Sequence, residues 1–347
     1  MTGIELLEEL VRIPSVSGEE KNAVRWLVAA MQALGFQAFR DDAGNAVGVR
    51  GHGPRQLVLL GHIDTVPGGP PVERRNGRLY GRGTVDAKGP LAAFVTAGAA
   101  VQVPDEWQLV VIGAVEEESA TSKGARYAAT CYQPEACVIG EPSGWDAITL
   151  GYKGRLLADI EVRRATAHTA GPEQRAPEVA VDYWNAVCAA LDTLPTEQEG
   201  AFWRVQPSLR RINSAQEGNA DVVRMTLGFR LPPTVRPADI ERLLHDLAPE
   251  GVHVQTYGAE EAYIAERTTP LARAFQRAIA AAGARPRFKL KTGTSDMNVV
   301  GPVWRCPILA YGPGDSSLDH TPHEHIDIAE FERGVAVLTN ALQTIMG

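Results

Sequence analysis

Five short stretches of this sequence gather side chains able to hold a cation or to move a proton. In Gly61-His62-Ile63-Asp64-Thr65-Val66-Pro67, which follows the apolar run 57–60, a His and an Asp stand two apart. On an extended segment they point the same way, so the imidazole can ligate a metal while the carboxylate orients or polarises it from behind. Taken alone, His-x-Asp also describes many surface pairs. The stretch Gly81-Arg82-Gly83-Thr84-Val85-Asp86-Ala87-Lys88-Gly89-Pro90 is a glycine-rich loop ahead of a helix, a setting that can cradle phosphate. The phosphate-loop ending Gly-Lys-Ser/Thr is absent, because Gly89 follows Lys88 and no hydroxyl comes next. Asp86 reads better as a bridging carboxylate poised at the helix start.

The apolar run 109–115 leads straight into Glu116-Glu117-Glu118. Adjacent carboxylates repel one another, and a buried triplet needs cations close by. The competing reading, a solvated acidic turn, is weakened by the strand that feeds directly into it. Residues 136–139 lead likewise into Gly140-Glu141-Pro142-Ser143, another acid at a strand end. The fifth stretch, Asp319-His320-Thr321-Pro322-His323-Glu324-His325, is a histidine cluster whose internal position and varied spacing argue against a tag-like solvated loop. Together His62, Asp86, one Glu of the triplet, Glu141 and His320 form a sensible two-zinc set, with one imidazole and one terminal carboxylate per metal and a shared Asp. Imidazole nitrogens and carboxylate oxygens suit Zn²⁺ at ~2.0–2.2 Å, and no cysteine is needed. Two cations roughly 3.5–4 Å apart would clamp an attacking hydroxide and a polarised carbonyl. The triplet leaves a spare Glu to act as general base.

Strands alternating with helices position these groups. Strands are expected at 56–60, 109–114 and 136–139, with an alanine-rich helix from Pro90 to about residue 101. Two amphipathic helices open the chain, the first capped by Thr2 and Glu5, the second by Ser17 and Glu20 with Gly35 as its stop. The pattern is that of a helix-covered, mainly parallel sheet, in which sites gather beyond the carboxyl ends of the strands. From about residue 155 the texture changes to β-α-β-β-α-β: strands 156–163, 205–212, 221–231 and 252–257, helices 177–194 and 237–247. That is a split βαβ insertion of α+β type. Helices 270–282 and 328–346 return to the first domain, giving an α/β domain of residues 1–154 and 264–347 interrupted by a domain of 155–263.

The 347 residues suit two domains, and 44% hydrophobic with 22% charged residues is a globular balance that excludes a disordered scaffold. A formal charge of −8 argues against a nucleic-acid groove or a polybasic membrane surface. No apolar run approaches the ~18–20 residues of a spanning helix, and the charged opening segment differs from a signal peptide. Cys131, Cys137, Cys188 and Cys306 are too few for a disulfide framework and read as buried reduced thiols. A cytoplasmic protein is expected, without nucleic-acid or membrane partners.

The five motifs, in this order and nearly end to end, resemble the two-zinc exopeptidase superfamily of aminoacylase, acetylornithine deacetylase and succinyl-diaminopimelate desuccinylase. The resemblance implies that His62 and Glu141 hold one zinc, His320 and a Glu the other, that Asp86 bridges them and that Asp64 orients His62. The family usually writes its acidic motif Asp-Glu-Glu, base before ligand; here Glu116 replaces the Asp, making Glu117 the base and Glu118 the ligand. The alternative frame makes Glu116 the base and Glu117 the ligand. Cobalt or manganese can stand in for zinc. The insertion resembles the family's lid and dimerisation domain, which implies a homodimer. Ala167-His168-Thr169-Ala170 matches the motif whose His reaches a neighbouring active site, and Asn219 and Arg230 match residues that hold the substrate carboxylate. The usual Asn-Val-Ile-Pro is here Asn-Ala-Asp-Val. Lys291-Thr292-Gly293-Thr294-Ser295-Asp296 stands near the family's Gly-Gly-Thr-Asp loop. That loop and the Ser-Ala-Thr-Ser-Lys-Gly-Ala-Arg run after the triplet resemble the branch that releases lysine from the γ-carboxyl of the C-terminal Glu of the amino-group carrier protein LysW. The same branch is implied in ornithine release. The alternatives are a deacetylase of free N-acetyl-lysine or N-acetylornithine, a succinyl-diaminopimelate desuccinylase, and, from another class, an inactive carrier-binding module.

Overall fold

The structure, a computed structural model, describes residues 1–168 and 170–347, and it divides into two compact units. The first comprises Met1–Gly151, Ile264–Leu290 and Ser295–Gly347; the second comprises Tyr152–Tyr263 and Lys291–Thr294. The short segment Lys291–Thr294 was expected with the first domain. It clusters with the second, where the Thr294 hydroxyl accepts from the Arg230 guanidinium.

In the first unit the parallel centre of a nine-stranded sheet comes from four strands: Trp107–Ala114, Arg55–His62, Ala136–Gly140 and Ile308–Ala310, in that spatial order. Antiparallel strands flank them, Ala46–Gly51 on Trp107–Ala114 and Ala147–Tyr152 on Ile308–Ala310. The sheet is therefore mixed, with the expected parallel order confined to its middle. Residues 57–62 are buried without alternation, the pattern of a strand covered on both faces. Ile308–Ala310 slots between two strands that are neighbours in sequence, so the sheet closes around a late segment of the chain.

The helix Lys88–Ala100 covers the carboxyl ends of the central strands, and ten of its thirteen residues are buried. It can come so close because Gly113, Gly61 and Gly140 stand side by side in register beneath it. A Cβ on Gly140 would sit 2.9 Å from both the Gly61 Cα and the Phe94 ring. The opening helix Gly3–Arg12 carries the expected reciprocal cap, with Thr2 and Glu5 each bonding the other's backbone N–H. The next helix departs from expectation: Lys21–Ala33 begins after Glu20 without a side-chain cap. Ser17 is engaged elsewhere, as described below.

The second unit is a four-stranded antiparallel sheet, ordered Gln206–Glu217, Ala220–Leu231, Gly154–Ala165, Val252–Glu260. Alternation along Ala220–Leu231 puts Val223, Met225, Leu227 and Phe229 into a core shared with the helices Ala176–Asp192 and Pro237–Asp246. All four cysteines are free thiols, and only Cys137 is buried; Cys131 is exposed and the other two are partly so. Among the described residues no helix is long and apolar enough to cross a membrane.

Candidate metal centre

Three parallel strands end side by side, and each hands an acid or an imidazole to the same edge of the sheet. His62 closes Arg55–His62, the triplet begins two residues after Trp107–Ala114, and Glu141 follows Ala136–Gly140 directly. Asp86 arrives from the loop before the helix Lys88–Ala100, and His320 from the loop ahead of the strand His325–Asp327. Glu116 and His320 both take left-handed backbone conformations, φ 60° and 61°. Such conformations are costly for residues with a Cβ, and proteins keep them where function requires the side chain's direction. At Glu116 the turn separates the triplet. Its own carboxylate leaves the centre to accept from the Thr121 hydroxyl at 2.7 Å and to pair with Lys123 at 3.5 Å, while Glu117 and Glu118 enter.

His62 is 2% exposed and its two nitrogens face different ways. Nδ1 meets the Asp64 backbone carbonyl at 3.0 Å and the Asp64 carboxylate at 3.4 Å; Nε2 meets Asp86 Oδ1 at 3.3 Å. The other oxygen of Asp86 lies 3.0 Å from His320 Nε2, which also meets Glu118 Oε1 at 2.8 Å. One carboxylate thus spans two imidazoles. Glu117 and Glu141 each bring an oxygen within 4.0 Å of His62 Nε2. His62, Asp86 and Glu118 also place one ligand atom each within 4.8 Å of the others, so Glu118 borders both sides of Asp86.

The electrostatics follow from this crowding. Burial drives the Glu117 carboxyl well above its usual range, and it raises Glu118 against the opposing bond from His320. Bonds from Asp86 and Glu118 carry His320 up to about 10. Burial disfavours a charged His62 ring, yet its bonds to Asp64 and Asp86 outweigh that and raise it. Burial likewise works against an ionised Asp86, and the two imidazoles overcome it. Two imidazoles and four carboxylates thus crowd one centre. These N and O donors suit divalent cations, so the residues present fit a metal pair.

Asp64 does more than face His62. Its Oδ1 accepts from the Glu117 N–H and its Oδ2 from the Glu118 N–H, both at 3.0 Å, and Ser17 Oγ donates to Oδ2 at 2.7 Å. The fully buried carboxylate therefore fastens the imidazole and the acidic pair as one piece. Ser17 and its place in this network are not apparent from local pattern. Lys88, also buried, donates to the Leu10 and Ile13 carbonyls and ties the loop of Asp86 to the end of the first helix. Burial brings its ammonium down to about 7.

A family description, peptidase family M20/M25/M40, matches residues 58–344. The chain belongs to this family. As an M20 hydrolase it acts on an amide bond. It is 46% identical to the LysW-lysine hydrolase of Deinococcus radiodurans over 99% of this chain and 97% of that one. A putative LysW-lysine/LysW-ornithine hydrolase of Thermococcus kodakarensis is 37% identical over 99% and 92%. Among solved structures, an M20-family metallo-carboxypeptidase from Sulfolobus solfataricus shares the fold at a TM-score of 0.77, with 17% identity and 98% of each chain covered. A Bacillus subtilis M20 protein, described as a dinuclear metal-binding peptidase, aligns at 0.69, with 12% identity, 99% of this chain and 97% of that one.

The second unit carries the remaining residues singled out from the M20 pattern. His168 is exposed, and its Nδ1 accepts from the Ala170 N–H at 3.2 Å; Thr169 of the same motif lies outside the described residues. Asn219 sits in the turn ahead of Ala220–Leu231, its carbonyl accepting from the Thr166 N–H. Arg230 lies near the far end of that strand. Eleven residues of extended chain span about 36 Å. One subunit therefore does not bring Asn219 and Arg230 to a common substrate carboxylate.

Proposed function

We propose that the chain is a two-metal amide hydrolase that releases lysine from the γ-carboxyl of the C-terminal Glu of LysW, with ornithine as a second cargo. The chemistry rests on one observation: Asp86 spans His62 and His320 at 3.3 and 3.0 Å, beside Glu117, Glu118 and Glu141. On this reading His62 and Glu141 hold one Zn²⁺, His320 and Glu118 the other, and Co²⁺ or Mn²⁺ can substitute. When bound, the metals supply a polarised carbonyl and a water acidified toward neutrality. Glu117 takes the proton of that water as the new C–O bond forms, then passes it to the nitrogen as the C–N bond breaks. Glu116, turned toward Thr121 and Lys123, is poorly placed for that task, which favours Glu117 as base and Glu118 as ligand. Asp64 orients His62, and Arg230 grips the substrate carboxylate.

The 46% identity to a LysW-lysine hydrolase supports the carrier as substrate. The reading sets the enzyme in the cytoplasm, in lysine and arginine biosynthesis. A panel of carrier–lysine, carrier–ornithine, N-acetyl-lysine, N-acetylornithine and succinyl-diaminopimelate tests it. The carrier conjugates should give the highest kcat/KM, since truncated substrates forfeit remote binding energy that lowers the barrier. Equal or better turnover of a free acyl-amino acid would move the function to small molecules.

We extend the proposal to a homodimer formed through the second unit. His168 and Asn219 would then serve the partner's centre, His168 as donor to the developing oxyanion. His168→Ala should bind metal normally yet lose about 10²–10³ in kcat. Mixing it with metal-dead Asp86→Ala subunits creates one site with intact metals and an intact partner His168, so activity should return on subunit exchange. Verified exchange without recovered activity would remove the cross-subunit role.

A further inference from the structure

Glu324 lies four residues after His320, and its side chain is fully buried. Its Oε1 accepts three backbone N–H groups from the loop of Asp86: Gly83 at 2.9 Å, Val85 at 3.0 Å and Asp86 itself at 3.2 Å. Its Oε2 accepts from Arg82 Nη1 at 2.6 Å. The same guanidinium reaches back with Nη2 to the His320 carbonyl at 3.3 Å, and the Gly81 N–H meets the Glu324 carbonyl at 3.3 Å. Two loops far apart in sequence, one carrying Asp86 and the other His320, are thus clasped by the Glu324 carboxylate and the Arg82 guanidinium, next to the pairing of His325–Asp327 with Arg78–Tyr80.

A buried carboxylate is expensive to keep, and it repays its desolvation only when geometry is good and every lone pair is used. Here all the donors it collects are from residues 82–86, and the last of them is the amide of Asp86. Rotating that amide would swing the Asp86 carboxylate, whose two oxygens must face His62 and His320 at once. An ordinary structural ion pair would hold the loops together without fixing that peptide's direction.

We propose that Glu324, clasped by Arg82, is a positioning residue that sets how Asp86 is presented to His320, and so how tightly the His320 side of the centre holds its cation. The proposal rests on Asp86 as the bridge. Groups that orient metal ligands typically change affinity by about 10–100-fold when replaced. Glu324→Gln keeps size and one accepting oxygen but turns an amide NH₂ toward Arg82. Arg82→Lys keeps a cation beside Glu324 but cannot also span to the His320 carbonyl.

The test is a Zn²⁺ titration of metal-free full-length protein by calorimetry, paired with thermal unfolding of the metal-free forms and the visible spectrum of the Co²⁺-loaded ones. For Glu324→Gln the His320-side site should weaken by about 10–100-fold and the His62-side site, which shares Asp86 but lacks the His320 loop, clearly less, with an altered Co²⁺ spectrum and little change in metal-free Tm. Arg82→Lys should shift the same site in the same direction. If Glu324→Gln fails to fold, Arg82→Lys decides alone. Wild-type affinity at both sites in the folded variants would overturn the proposal. So would equal weakening of both sites in step with a fall in Tm, which is the mark of a purely structural role. Asp86→Ala serves as the control. If it keeps both metals, the bridging reading fails; if it loses them while the clasp variants bind as wild type, the clasp alone fails.

Discussion

Glu117→Gln should bind metal and substrate as the wild type does and lose about 10²–10⁴-fold in kcat, the usual loss for a general base. The amide matches the carboxylate in shape but cannot take a proton from water. Glu117 brings a carboxylate oxygen to 4.0 Å from His62 Nε2, and its backbone, like that of Glu118, is pinned by Asp64. Pre-steady-state turnover of carrier–lysine with metal analysis on the same sample would measure this. The companion Glu116→Gln should lose little, since it gives up only an ion pair and a hydroxyl bond at the partly exposed edge of the site. Activity in Glu117→Gln together with a dead, metal-replete Glu116→Gln would reverse the assignment of base and ligand.

Asp86→Ala should cost more. Its carboxylate meets both imidazoles, at 3.3 and 3.0 Å, and two cations placed side by side repel strongly in a partly buried setting. Without it neither pair of remaining ligands holds its ion well, and activity should fall to background. Elemental analysis on folded, chromatographically intact protein reads the outcome. Two metals per chain in Asp86→Ala would overturn the bridging role and with it the two-metal reading.

Much of this centre could be read from sequence because the acids stand at the ends of apolar runs, and parallel strands bring such ends together. The helix Ile328–Met346 and the cap of Gly3–Arg12 were equally legible, being local patterns. What escaped is what depends on partners distant in the chain. Ser17 has the spacing of a helix cap, with Glu20 three residues on, but its hydroxyl bonds Asp64, 47 residues away. Glu324 appeared only as one acid in a histidine-rich loop; its amide partners lie about 240 residues earlier. The strands Ala46–Gly51 and Ile308–Ala310 are short or glycine-bearing, too brief to show a period, and missing Ala46–Gly51 made the sheet look more parallel than it is. Asn219, in the turn before the alternating strand Ala220–Leu231, and Arg230, near its far end, are separated by the strand's length once it is counted.

The slot filled by Ile308–Ala310 has a consequence for how the protein is made. Ala136–Gly140 and Ala147–Tyr152 leave the ribosome almost together, yet the strand between them is translated more than 150 residues later. At about 5–20 residues per second that is a wait of roughly 8–30 s. Residues 152–263 of the second unit can fold in the interval, while the sheet of the first unit stands with two unpaired edges. The same late segment brings His320, so the nascent chain carries Asp86, Glu117, Glu118 and Glu141 without that imidazole until about 180 residues after Glu141 have been made. A cation captured early would meet only part of its ligand set.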